Sequence, residues 1–138
     1  MMDMNLFSYG SLMFREVWSQ LVKGDYVKRP ARLYGFTRRR VHGDVYPVIV
    51  PSPHGDWVDG VVYFGVSEDD LKRLDVFEAE PYDRQTHVVL VEGRERHLAD
   101  AYVLKDHFQY MVHDCEWDPQ WFEREALPVF IGSYRGFR

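Results

Sequence analysis

Two short segments of this 138-residue chain carry side chains and backbone suited to chemistry, and they lie about sixty residues apart. Leu6-Phe7-Ser8-Tyr9-Gly10-Ser11-Leu12 is an apolar strand that runs into a tight turn. Gly10 permits a close approach of backbone to ligand and access to positive φ. Unpaired N–H groups at such a turn attract a carboxylate or phosphate. An ordinary strand-to-helix connection is the plain alternative. Leu74-Asp75-Val76-Phe77-Glu78-Ala79-Glu80-Pro81-Tyr82-Asp83-Arg84 is the second segment. Glu78 follows Leu74 by four residues and stands next to Phe77, at the end of a helix whose apolar side faces the core. A carboxyl drawn into such a setting gains proton affinity and becomes a general acid or base near neutral pH. The alternative is a solvated Glu on a polar face, with Glu80 competing for the role. Asp75, three residues earlier, shares the face of Glu78 and would raise its proton affinity further. Tyr82 and Arg84 alternate with Asp83 at a strand start, so both point to one side, where either would orient Glu78 or meet a substrate carboxylate. A core tyrosine and a surface arginine are the simpler reading of that pair.

Other chemistry finds little support. Cys115 is the only cysteine, which rules out an internal disulfide and leaves no Cys-based zinc site. None of the six histidines has an i, i+4 partner of the kind that forms a zinc-binding helix. The expectation is therefore no metal and no cofactor. Arg38-Arg39-Arg40 reads as a solvated charge run. The net charge of −5 argues against nucleic acid as a partner.

The elements that must position these residues follow from periodicity. Residues 4–9 read as a buried strand. Phe14, Val17, Trp18, Leu21 and Val22 sit at helical spacing within 13–23, with Ser11 as N-cap and Gly24 as stop. Residues 27–37 read as one strand, bent or bulged near Pro30 and Gly35. A second apolar segment ends at Val50, and 51–56 form a turn. Residues 57–66 are the clearest strand. Ser67 caps a helix with acids in its first turn, favoured there by the helix dipole. Residues 82–91 and 97–104 form an antiparallel pair around Glu92-Gly93-Arg94, and Asp118 with Pro119 opens a helix over 118–127. The tail is apolar and then basic. With 46% hydrophobic and 16% aromatic residues, residues 1–138 read as one ordered domain of the α+β class, a small curled sheet or barrel with helices. No apolar run approaches the ~20 residues of a membrane span. The opening residues lack a basic stretch followed by an apolar one, so a soluble cytoplasmic protein is expected.

The motif YGSL after an N-terminal strand, followed by LDxFE and YxR, resembles the gamma-glutamylcyclotransferase-like superfamily. It is most similar to the branch of gamma-glutamylamine cyclotransferases and plant avirulence-induced proteins. The resemblance spans nearly the whole chain in length and motif order. It implies a small mixed β-barrel with flanking helices and release of an amine or amino acid from a γ-glutamyl amide, with formation of 5-oxoproline. It places the catalytic carboxylate on Glu78 and the substrate-cradling loop on Tyr9, Gly10, Ser11 and Leu12, with Tyr82 and Arg84 as accessory candidates. Where many relatives carry Gly after the catalytic Glu, this chain has Ala79. A small-molecule γ-glutamyl substrate is the implied partner. A non-catalytic binding or interaction domain that keeps the pocket is the competing reading. The oligomeric state and the identity of the leaving amine are left open.

Overall fold

A computed structural model describes residues 3–129; the basic end of the tail lies outside the described residues. Strand β1 (Met4–Ser8) leads through a 3₁₀ turn (Ser11–Met13) into helix α1 (Arg15–Leu21). Strands β2 (Lys28–Tyr34), β3 (Phe36–Arg40), β4 (Pro47–Pro51) and β5 (Trp57–Val66) follow, then helix α2 (Glu68–Glu78) and strands β6 (Tyr82–Val91) and β7 (Glu95–Leu104). A 3₁₀ segment (Asp106–Met111) precedes the short helix α3 (Pro119–Trp121), which widens into a π-turn over Phe122–Ala126.

Five strands close a barrel in the order β1-β5-β2-β6-β7, sealed by a parallel contact between β1 and β7 at Leu6 and Asp100. The β3–β4 hairpin forms a separate two-stranded sheet. The predicted strand over 27–37 is two strands, because Gly35 turns the chain at φ +89°, a conformation that costs glycine little. The predicted helix over 13–23 is shorter at both ends. Ser11 does not cap it; Ser11 opens the 3₁₀ turn, and α1 begins only at Arg15.

Period-two alternation sorts the strand side chains into two cores. Phe7, Leu33, Val62, Val89, Val91 and Ala101 belong to a cluster to which all five barrel strands contribute, so it fills the barrel. Leu6, one residue away from Phe7, belongs to the other cluster, with Val17, Trp18, Leu71, Leu74 and Phe122 from the outer elements. Leu71, Leu74, Asp75 and Glu78 follow one another at helical spacing, so the face that seats α2 on the barrel is the face that carries the two carboxylates. Ser67 caps α2 by accepting from the Asp70 amide at 3.2 Å, as its position predicts.

Candidate active site

The Tyr9–Leu12 loop is built so that its carbonyls point away from the space beside it. Arg38 Nη1 donates to the Tyr9 carbonyl at 2.8 Å, and the Met13 amide donates to Gly10 O at 3.0 Å. The Phe14 amide donates to Ser11 O at 3.1 Å, and the Tyr63 hydroxyl donates to Leu12 O at 2.7 Å. The amides of Gly10, Ser11 and Leu12 donate to no acceptor among the described residues. Four engaged carbonyls and three free donors make a cradle for an anion. Gly10 serves this loop differently from the expectation of positive φ. Its φ is −133°, not positive, and space constrains the position: a Cβ there would lie 2.7 Å from Pro47 Cγ. Tyr63 is itself stacked on Trp18, with ring centroids 3.6 Å apart and planes within 4°.

Arg38 was expected in solvent with its neighbours. It is half-buried instead, bridging the carbonyls of Tyr9 and Asp59 and lying over the Trp117 ring at 5.3 Å. The planar guanidinium suits such a stacked, forked position better than an ammonium would. Trp117 in turn donates from Nε1 to Val45 O at 2.7 Å, so one arginine ties the cradle to the segment ahead of β4.

A narrow cavity lies against the cradle, lined by Phe7, Ser8, Tyr9–Leu12, Tyr46, Pro47, Glu78, Tyr82 and Tyr102. A second, wider hollow adjoins it, lined by Ser11, Tyr46, Phe77, Glu78, Ala79, Pro81 and Tyr82. Glu78, Tyr46, Tyr82 and Ser11 belong to both, so Glu78 stands at the junction. Two tyrosines fix the walls. The Tyr9 hydroxyl donates to Tyr102 O at 2.5 Å, and the Tyr82 hydroxyl donates to Pro47 O at 2.8 Å. Burial raises both phenols well above the ordinary tyrosine range, so they stay neutral at physiological pH.

Glu78 is the last residue of α2, and its carboxylate has no hydrogen-bond or ion-pair partner among the described residues. Burial without a donor, followed by the nearby charge of Asp75, pushes its pKa up to about 8. The C-terminal end of the helix dipole works in the same direction. Ala79 ends the helix at φ +65°, ψ −154°, a region that belongs almost wholly to glycine. Alanine here therefore adopts the glycine conformation under strain, directly beside Glu78.

Of the residues singled out from sequence, Tyr9, Gly10, Ser11, Leu12, Glu78 and Tyr82 line one cavity. Arg84 does not line it. Arg84 Nε donates to Asp75 Oδ1 at 2.9 Å and its Nη1 to Asp100 Oδ2 at 2.5 Å, so the guanidinium is occupied within the protein. Glu80 is exposed and lines neither hollow. Sequence reasoning missed Tyr102 as a wall residue. Its partner Arg84 across the β6–β7 ladder identifies its face, but only once the register is known. Among the described residues no group of three or more His, Cys, Asp or Glu side chains is placed to hold a metal. No helix among them is long and apolar enough to cross a membrane.

A mixed barrel with an amide cradle at the end of its first strand and a partnerless carboxylate facing that cradle defines the class of protein. The family model described as gamma-glutamyl cyclotransferase, AIG2-like, matches residues 6–129, and the chain belongs to that family. AIG2-like protein C of Arabidopsis thaliana is 39% identical over 136 residues, covering 96% of this chain and 77% of that protein. A solution structure of another Arabidopsis thaliana protein superposes with a TM-score of 0.72 at 31% identity, covering 97% of this chain and 89% of that one. A solved gamma-glutamyl cyclotransferase shares the fold, with a TM-score of 0.62 at 21% identity over 75% of this chain and 67% of that chain.

Proposed function

We propose that this protein cyclises a γ-glutamyl amide, releasing 5-oxoproline and an amine or amino acid, with Glu78 as the proton shuttle. The observation that carries this reading is the Glu78 carboxylate, partnerless, drawn up to about 8 and facing the amide cradle. In the substrate the α-amine folds back onto its own γ-carbonyl, so the nucleophile arrives within the molecule and neither Ser nor Cys is needed. Holding the folded conformer supplies a large part of the acceleration, since oriented intramolecular attack reaches effective molarities of ~10⁵ M or more.

The amides of Gly10, Ser11 and Leu12 would hold the α-carboxylate and share in stabilising the oxyanion that develops on the γ-carbonyl. Glu78 takes a proton from the α-ammonium, the amine attacks, and a tetrahedral centre forms. Collapse of that centre breaks the amide C–N bond; Glu78 returns its proton to the departing nitrogen, and the extra proton on the former α-nitrogen passes to the freed amine, which leaves as an ammonium. One carboxylate thus acts as base and then as acid, and it ends the cycle in its starting state. The adjoining hollow beside Phe77, Ala79 and Pro81 would receive the leaving amine.

The test is 5-oxoproline release by the purified protein from γ-glutamyl amino acids, glutathione, γ-glutamyl-ε-lysine and simple γ-glutamyl amines, with Glu78→Gln alongside. Product from one member that disappears in the variant supports the reading and names the leaving group. Product at undiminished rate from the variant rejects Glu78 as the shuttle. Saturable binding with no product from any member would make the pocket a receptor rather than a catalyst.

A further inference from the structure

We infer that Asp75 and Arg84 are positioning residues for Glu78: the Arg84 fork fixes the Asp75 carboxylate one helical turn from Glu78 and partly neutralises it. This inference rests on the reading of Glu78 as the shuttle, and it assigns a task to two residues that do not touch the cavity.

The pair belongs to a continuous chain of hydrogen bonds across three elements. Thr86 Oγ1 donates to Asp100 Oδ1 at 2.6 Å, and Arg84 Nη1 donates to the other oxygen of Asp100 at 2.5 Å. The Arg84 fork also reaches Asp75 through Nε at 2.9 Å and Nη2 at 3.2 Å. Tyr102 donates its hydroxyl to Asp75 Oδ1 at 2.7 Å, while its own backbone carbonyl accepts from Tyr9. The strands bring these groups together by register. Arg84 faces Tyr102 and Thr86 faces Asp100 across the β6–β7 ladder, on the side over which α2 presents Asp75. Asp75 precedes Glu78 by three residues on that helix, the spacing of neighbours on one face.

The charge balance of the chain decides its effect. Two carboxylates, Asp75 and Asp100, share one guanidinium, so the cluster keeps a net negative charge one turn from Glu78. The phenols of Tyr9, Tyr46, Tyr82 and Tyr102 that line the same cavity carry no charge while protonated and cannot cancel that charge, and Asp44, whose charge reaches Tyr82, only adds to it. Arg38 acts on the far side of Tyr9 and is spent on two carbonyls. A fixed negative charge beside Glu78 makes it a stronger base, closer in proton affinity to the α-ammonium it must deprotonate. A carboxylate at its ordinary value near 4.3 would be a poor acceptor for that proton. The fork geometry fixes Asp75 in place, which a flexible surface carboxylate would not achieve.

The experiment is a carboxyl-carbon NMR titration of Glu78 in the full chain, with Glu78→Gln used to assign its signal. Asp75→Asn is expected to lower the midpoint by about one pH unit. Arg84→Gln is expected to raise it, and Arg84→Lys to return it towards the wild-type value. A merely structural role would move the midpoint the same way in both neutralising variants, or not at all, and either result overturns the inference. Should Asp75→Asn not fold, the Arg84→Gln and Arg84→Lys pair decides it: equal midpoints overturn the inference. The titration does not depend on turnover. Opposite shifts in a protein that releases no 5-oxoproline would uphold the tuning pair and reject the catalytic reading. Glu78-dependent turnover with an unshifted midpoint would do the reverse.

Discussion

Helix α2 carries two carboxyls, one buried and one half-buried, that the fold treats in opposite ways. Asp70, in the first turn, is 2% exposed and surrounded by donors: the amides of Lys23 and Gly24 at 2.9 and 3.0 Å, the Tyr26 hydroxyl at 2.5 Å, and Arg73. Burial pushes its pKa up, yet the Tyr26 hydroxyl, the two amides and Arg73 outweigh burial and hold the carboxyl below its ordinary value. Glu78, in the last turn, is given no donor, and burial with the charge of Asp75 drives it up to about 8. A buried carboxylate with every lone pair satisfied fastens the chain between α1 and β2 to the helix. One given no donor by the protein keeps a proton to exchange. The count of protein donors separates the two roles.

The largest expected effect that would break this contrast is on turnover. Glu78→Gln keeps size and packing and is expected to lower kcat by about 10²–10⁴-fold, the usual worth of a positioned general base. Asp70→Asn is expected to leave the chemistry in place and weaken the fold, by about 3 kcal/mol in denaturant unfolding, because a buried, multiply bonded charge loses its partners' counterpart. Equal effects of both variants on turnover after correction for folded fraction would erase the distinction. Next in size, Gly10→Ala would push the cradle off Pro47 and is expected to reduce substrate affinity more than kcat, read from KM and kcat separately.

The pH dependence sharpens the comparison, because the two carboxyls give stability of opposite sign. Glu78 binds its proton more tightly in the folded state, so its contribution falls as pH rises from about 4.5 towards about 8. Glu78→Gln is therefore expected to raise the Tm at pH 9 and to change it little at pH 4. Asp70, depressed on folding, contributes above the unfolded carboxyl range and loses that contribution on acidification. In Asp70→Asn the stability gained between pH 3 and pH 5 should be smaller than in the wild type. The smallest effect concerns the residue after the helix. Ala79→Gly relieves a positive φ at an exposed position and is expected to stabilise by about 1 kcal/mol, net of the freedom glycine gains in the unfolded chain. No gain in chemical denaturation would show that the strain is not borne at Ala79.

The strands flanking the site were legible because their patterns are local. Trp57–Val66 and the Tyr82–Val91 strand follow the sequence almost to the residue, and Ser67 caps α2 where its type and spacing place it. Glu78 and the Tyr9–Leu12 loop were legible through motif order, although neither segment alone distinguishes a site from an ordinary connection. What escaped depends on register and on distant partners. Nothing local to Arg38 announces that its guanidinium will be needed by the carbonyls of Tyr9 and Asp59. Arg84 looked available for a ligand because its two acceptors come from another element and another strand. The helix expected over 118–127 widens into a π-turn after Trp121. I,i+4 apolar spacing does not register that change.

The hydroxyl of Tyr9 reaches the carbonyl of Tyr102, 93 residues later, at the seam where β1 meets β7. Every strand of the barrel is already paired with a neighbour before that seam is needed, and closing it joins the barrel's first strand to its last. Such contacts pay their loop entropy early and are rewarded late, so they form slowly compared with helices and hairpins. In time, then, the site is a late product of folding: in a refolding experiment, helical signal and hairpin protection should return first, and ligand binding only with the final closure.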